Sequence, residues 1–248
     1  MKINRTLIIR IAILILVVIL SWCIYDEFSI SSLKLYDGPM WKKQDYDDDN
    51  IIMRNRYIPS FVCNNLITLS NTYTFDEDEE PVDGEPVYQI DIYRRDEGIV
   101  NEELWDNIKP IYFNNILPLL SEKSWVKDKE HELDFVFLKR YHPDERTHLG
   151  LHMDDDYLSA TVMLSESSDY ENGRFYLFPK TFSNEHEYAV SKLSNEQRDI
   201  FINNHDILPI VHQEQGDVII YTGSDHLHGT LPITQGSRYI LIFFFNKK

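Results

Sequence analysis

The apolar positions of this chain fall into three regimes. The first is Leu7 to Tyr25, an apolar run broken only by Arg10 and Ser21. At about 1.5 Å per residue, a helix of that length nearly crosses a hydrocarbon core of about 30 Å, so the run predicts one N-terminal transmembrane helix. Lys2, Arg5 and Arg10 lie on its N-terminal side, and Asp26 and Glu27 follow it. This bias leaves residues 1–6 as a cytosolic tail and puts the rest on the lumenal or exterior side. A cleaved signal peptide is the competing reading, although Ser21-Trp22-Cys23 offers no small-x-small cleavage site. Residues 26–55 carry the acidic run Asp45 to Asp49 and no sustained period, which reads as a stem.

The second regime has helical spacing, and with it the folded domain, 56–248, is expected to begin. Tyr57-Ile58-Pro59-Ser60 introduces an apolar-periodic segment to Leu69, with Ser60 placed to act as N-cap. Leu104, Ile108, Tyr112, Ile116 and Leu119 follow one another at spacings of four, four, four and three. They predict a core-facing helix over Glu102 to Leu120, kinked at Pro110 and disturbed near its end by Pro118. Between these helices, Asp76 to Glu80 followed by Pro81, Gly84 and Pro86 reads as a solvated polar loop.

From Leu133 the texture becomes short apolar or alternating runs: Leu133 to Tyr141, Ser159 to Leu164, Arg174 to Phe178, Asp217 to Tyr221 and Arg238 to Phe245. Helices first and strands afterwards, with no βαβ alternation, predict an α+β fold whose helices support an antiparallel sandwich or jelly roll. Ser183 to Pro209 is a long polar insertion, expected to be partly helical.

With 43% hydrophobic residues the chain can bury a core, and its net charge of -17 repels phosphate backbones, so nucleic acid is excluded as the main partner. The same charge suits a basic peptide, with a solvated acidic surface as the plainer alternative. The two cysteines exclude a disulfide framework within the domain, since Cys23 lies in the apolar run; Cys63 reads as a buried small hydrophobe.

Candidate chemistry starts at His152-Met153-Asp154. On a strand, side chains alternate, so His152 and Asp154 share a face and can reach one ion. His228, between the last two long β runs, is the distant third ligand. Two histidines and a carboxylate fill three positions of an octahedral Fe(II) and leave three for a bidentate 2-oxo acid and dioxygen. The chain lacks HExxH, which disfavours zinc hydrolysis. An HxD triplet alone is common by chance. What strengthens it is Arg238, ten residues after His228 and inside an apolar strand. A buried guanidinium needs an anion, either an Asp or Glu of the chain or a ligand carboxylate held in a bidentate clamp. His226 is the rival ligand, but it breaks the ten-residue spacing to Arg238. His131, His142, His148, His186, His205 and His212 read as surface or supporting residues. Asp155 and Asp156 read as solvated, or as contacts for a basic peptide, and Tyr221 and Phe178 as core.

At this point the sequence resembles a known family. Arg140-Tyr141-His142-Pro143-Asp144-Glu145 is similar to the RYxPDE entry of the lysyl hydroxylase catalytic domain, and His152-Met153-Asp154 stands where its HxD belongs. Glu171-Asn172-Gly173 resembles its EGG stretch, with Asn172 departing from Gly. His228 to Tyr239 is similar to HEGLPTTRGTRY, with the His-to-Arg spacing intact. The chain thus looks like the prolyl/lysyl hydroxylase branch of the Fe(II) and 2-oxoglutarate dependent dioxygenases over roughly Phe135 to Asn246. The resemblance implies a double-stranded β-helix, with iron on His152, Asp154 and His228. It also implies that Arg238 holds the distal carboxylate of 2-oxoglutarate and that Tyr141 hydrogen-bonds the same cosubstrate. The implied reaction hydroxylates a peptidyl proline or lysine and turns 2-oxoglutarate into succinate and CO2, with L-ascorbate keeping iron reduced. With the N-terminal anchor, this gives a type II membrane protein of the endoplasmic reticulum or another secretory membrane, its catalytic domain lumenal. A catalytically silent jelly-roll binding protein, and an enzyme acting on a glycan or small molecule, are the alternatives.

Overall fold

Two antiparallel sheets enclose a cavity, and helices cover the outer face of the larger sheet. The computed structural model describes residues 15–17, 50–127, 130–180, 182, 194–203, 208–211 and 213–248. The strands are β1 (Ile51–Arg54), β2 (Gln89–Arg94), β3 (Gly98–Ile99), β4 (His131–Tyr141), β5 (Leu149–His152), β6 (Leu158–Met163) and β7 (Tyr170–Asn172). They continue with β8 (Phe175–Leu177), β9 (Ile210–Val211), β10 (Val218–Tyr221), β11 (His228–Thr230), β12 (Ile233–Gly236) and β13 (Arg238–Lys247). The large sheet runs β1-β10-β6-β13-β4-β2-β3, the small one β5-β11-β8-β9, and β12 pairs with β7.

The two-residue period of β13 sorts its side chains between two environments. Tyr239, Leu241, Phe243 and Phe245 join the core under the helices, whereas Ile240, Ile242 and Phe244 line the cavity. Arg238 shares their parity and therefore points inward, away from the helical layer. On β4 the same rule sends Val136 and Leu138 to the helices and Phe135, Phe137, Lys139 and Tyr141 to the cavity. A sheet buried on both faces explains why these strands read as nearly continuous apolar runs.

The helical layer follows its predicted period. Helix α1 (Ser60–Ser70) buries Cys63 and Leu66, but its N-cap is Pro59 rather than Ser60, with no side-chain cap. Helix α2 (Glu102–Ile111) is capped by the Asn101 side chain, which accepts from Leu104 N–H at 3.0 Å. Just after Pro110 the helix passes into a π-helical turn, Tyr112–Ile116, before α3 (Leu117–Glu122). The missing proline N–H, which removes one i→i−4 bond, accounts for the break there. Tyr112 then lies over Phe243, with ring centroids 6.0 Å apart. Two short helices, α4 (Ser124–Lys127) and α5 (Asn195–Ile202), and a 3-10 turn at Gly223–Asp225 follow; α5 is the helical part expected of the insertion.

Two expectations need correction. The stem does not extend to residue 55, because Ile51–Arg54 is an edge strand on β10, with Ile51 and Ile52 fully buried. The segment Asp76 to Glu80 is solvent-exposed as expected at Asp76 to Glu79, but Glu80 is not freely solvated. Asp76 bridges to Gln89 and Glu79 to Pro86, and the Glu80 carboxylate takes the ammonium of Lys139 inside the cavity. Asp83 grips Arg146 with two bonds of 2.9 and 2.6 Å. Lys139 and Arg146 are each only 3% exposed, so their charges require these partners and the acidic flap is drawn onto the sheet.

The run Leu7 to Tyr25 lies outside the described residues apart from 15–17. Among the described residues no helix is long and apolar enough to cross a membrane.

Candidate metal centre

Strand pairing assembles the predicted ligands. β5 and β11 run antiparallel with His152 opposite His228, bringing their ring centroids within 4.2 Å. His228 is thus the first residue of a strand, one that lies between the two long β runs. The HxD triplet is only partly in a strand, since β5 ends at His152. Asp154 is fixed by its own N–H, which donates to Gly223 O at 3.1 Å, and by Ser159, whose hydroxyl donates to Oδ2. Asp154 Oδ1 then sits 3.4 Å from His152 Nε2 and 3.3 Å from His228 Nε2. The three ligand atoms all lie within 4.8 Å of one another.

Backbone carbonyls set the orientation of both rings. His152 Nδ1 lies 2.7 Å from Gly150 O, and His228 Nδ1 lies 2.8 Å from His226 O. A carbonyl only accepts, so Nδ1 of each ring carries a proton and Nε2 is turned toward Asp154. Burial works against an ionised Asp154, but the two imidazoles outweigh it and hold the carboxyl well below the usual range. Burial likewise works against a charged His228, while Asp154 more than reverses it and raises the histidine. A buried anion with two converging nitrogen lone pairs is a site that attracts a cation.

The surroundings of the cluster were less legible. Tyr221 does more than pack in the core: its ring meets His228 edge-on at 5.0 Å. Burial, with the Asp154 carboxylate beside it, drives its phenol well above the ordinary value. Gly223 is required by close approach, because a Cβ there would stand 2.4 Å from Ser159 Oγ and 2.7 Å from Asp154 Oδ2. His226 turns away from the cluster, with Nδ1 3.0 Å from Phe178 O, so His228 is the ligand geometry favours. Asp156 is half-buried and lines the cavity rather than standing free in solvent; burial and the nearby Asp134 push its carboxyl up to about 7.

His152, Asp154 and His228 face a cavity of about 420 Å³ whose walls include Tyr141, Phe175, Thr161 and Lys139. Arg238 is buried to 1% exposure and opens onto a neighbouring cavity of about 520 Å³, with Tyr170, Arg174 and Gln213. Phe175 lines both spaces, and the ring of Tyr141 lies 5.5 Å from the Arg238 guanidinium carbon. Arg238 Nη2 donates to Gln213 Oε1 at 3.0 Å, while its Nε and Nη1 have no partner among the described residues. Among the described residues no carboxylate of the chain pairs with Arg238, which leaves the ligand carboxylate of the two options. Its unpaired donors fit the carboxylate of a ligand, and the nitrogen and oxygen donors of the trio fit a divalent iron.

The remaining motif residues hold the frame. Arg140 pairs through two nitrogens with Glu145 and lies 3.9 Å over Phe75, which locks the turn between β4 and β5. Asn172 and Gly173 both have φ near +61°, so the departure from Gly at 172 puts an asparagine where a left-handed backbone is tolerated. His131 packs on Tyr157 at 5.5 Å, and His148 lies 3.1 Å from Asp199. His142 lies on the turn after β4 with its Nδ1 accepting from Asp144 N–H at 3.2 Å. His186, His205 and His212 lie outside the described residues. Phe178 is core, stacked on Phe182 at 4.2 Å. Cys63 is buried with its thiol pushed by burial up to about 11, which leaves it unreactive.

No protein-family model matches the chain, and no curated protein matches it in sequence. Solved structures do match. HygX from Streptomyces hygroscopicus, with nickel, 2-oxoglutarate and hygromycin B bound, superposes with a TM-score of 0.57 at 14% identity, over 83% of this chain and 87% of that one. A prolyl hydroxylase from Trichoplax adhaerens, in complex with a hypoxia inducible factor oxygen degradation domain peptide fragment, gives 0.55 at 9% identity, over 89% and 91%. The viral collagen prolyl hydroxylase of Paramecium Bursaria Chlorella virus-1, as its 2-oxoglutarate complex, gives 0.51 at 14% identity, over 81% and 97%. With antiparallel sheets, an α+β layering and a His-Asp-His cluster, this chain has the fold of the 2-oxoglutarate–Fe(II) oxygenases, prolyl hydroxylases among them.

Proposed function

We propose that this protein is an Fe(II)/2-oxoglutarate-dependent dioxygenase that hydroxylates a peptidyl proline or lysine, its two sheets forming a double-stranded β-helix. The observation that carries the reading is the pairing of the His152, Asp154 and His228 cluster with a buried arginine that has no anion among the described residues. Iron(II) held by that trio, with 2-oxoglutarate and dioxygen, supplies hydroxylation coupled to release of succinate and CO2. The chain's own residues bind, orient and exclude water. The carbonyls of Gly150 and His226 keep both imidazoles in the ligating tautomer, and Ser159 holds the second oxygen of Asp154. Arg238 receives the far carboxylate of the oxo acid, and Tyr141 stands beside it. Phe135, Phe137 and Phe244 give the cavity dry walls, which protects a reactive centre from solvent. No side-chain acid–base pair is required.

The peptide substrate is supported by the peptide held by the Trichoplax prolyl hydroxylase, and the acidic flap and net charge of -17 suit a basic segment. In this reading Leu7 to Tyr25 anchors the protein in a secretory-pathway membrane with the domain lumenal, where ascorbate keeps iron reduced. A small-molecule substrate is the second reading, favoured by the hygromycin B bound to HygX. Incubating residues 50–248 with Fe(II), ascorbate, 2-oxoglutarate and a lumenal peptide pool tests the proposal. Succinate above a His152→Ala control and a peptide gain of about 16 Da, outside methionine, support it. No succinate in either sample leaves a binding protein; succinate without peptide modification points to the small-molecule reading.

A further inference from the structure

We infer that Gln213 is a second donor for the distal carboxylate of the oxo acid, its free amide N–H completing the clamp begun by Arg238. This rests on the dioxygenase reading above. Gln213 stands outside every motif in the sequence, five residues before β10, yet it is 7% exposed and lines the same cavity as Arg238. Its Oε1 accepts from Arg238 Nη2 at 3.0 Å. The orientation of the amide is fixed by chemistry, because a guanidinium only donates and the atom facing it must be the oxygen. Nε2 therefore turns away from Arg238, and among the described residues it has no partner.

Three buried donors thus stand unpaired in one place: Arg238 Nε and Nη1, and Gln213 Nε2. Leaving so many N–H groups unsatisfied is costly, and they share the need for an acceptor with several lone pairs and negative charge. The two acids lining the cavity are engaged elsewhere, Glu214 with the hydroxyl of Ser167 at 2.9 Å and Glu171 with the amide of Gln235 at 2.9 Å. A carboxylate entering the cavity satisfies both side chains at once. Gln213 also keeps the guanidinium in place through Oε1, so one side chain both orients the arginine and binds the ligand.

The test is calorimetric titration of the nickel-loaded full chain, in which no turnover occurs, with 2-oxoglutarate and separately with oxalate. Oxalate chelates the metal but has no distal acid to reach Arg238. Gln213→Leu is expected to weaken 2-oxoglutarate binding about tenfold or more, the size of one hydrogen bond to a charged group, and to leave oxalate binding unchanged. Gln213→Glu, which sets a carboxylate against Arg238, is expected to abolish 2-oxoglutarate binding while oxalate still binds. Unchanged 2-oxoglutarate affinity in both variants overturns the inference, as does an equal loss of oxalate, which traces the effect to the metal rather than to the distal acid. A wild-type protein that binds oxalate but not 2-oxoglutarate removes the clamp altogether. A wild-type protein that binds no metal sinks the dioxygenase reading, and the role of Gln213 with it.

Discussion

Arg238 is a guanidinium at 1% exposure with two nitrogens unpaired, a state worth several kcal/mol of penalty unless an anion arrives. Replacing it by alanine is expected to raise the 2-oxoglutarate requirement about tenfold to a hundredfold, while metal affinity measured by equilibrium dialysis stays level. An unaltered oxo-acid dependence places the clamp elsewhere. Ser159 acts one step back from the metal, through Asp154 Oδ2. Ser159→Ala is expected to lower metal affinity by about tenfold or more with the thermal midpoint little changed; equal metal affinity removes its role. His152, Asp154 and Arg238 were legible in the sequence because each carries a local anomaly: a two-residue spacing of ligands, or a charge inside an apolar strand. His228 was separated from His226 by its distance to Arg238. Tyr221 and Ser159 were not legible because strand register brings them to the cluster, and Gly223 and Gln213 because turns and loops outside the strands place them beside Asp154 and Arg238.

At the scale of elements, the acidic flap is the part whose sequence misleads. Its like charges and turn residues read as solvated, and the cations that attract it lie 59 and 63 positions away, at Lys139 and Arg146. The long strands β4, β6 and β13 and the helices announced themselves by period, and the four-residue β10 by an unbroken apolar run. The short strands β5, β9 and β11 span only two to four residues each, too few for alternation to show, and these form the sheet that carries both histidines. The flap makes an asymmetric expectation. Glu80→Ala leaves the Lys139 ammonium buried without a partner and is expected to destabilise by about 3–5 kcal/mol. Lys139→Met is expected to cost less than about 1 kcal/mol, because Glu80 stands on the flap and can turn to water. Urea unfolding of the two variants decides it, and equal losses contradict a latch centred on the buried lysine.

In the whole molecule the helices cover one face of the large sheet, which leaves the other face and the small sheet to enclose the chemistry. The charge of -17 and the run Leu7 to Tyr25 act outside that frame. If the run anchors the chain, the full-length protein stays with membranes after carbonate extraction; appearance in the supernatant favours a cleaved signal. The most direct measurement is anomalous diffraction from crystals of the folded domain, soaked without oxygen in manganese(II) and 2-oxoglutarate. The expected result is one metal peak bonded to His152, Asp154 and His228, with the far carboxylate of the oxo acid against Arg238. A saturating soak that leaves the trio without a peak, or seats the metal on other residues, contradicts the account.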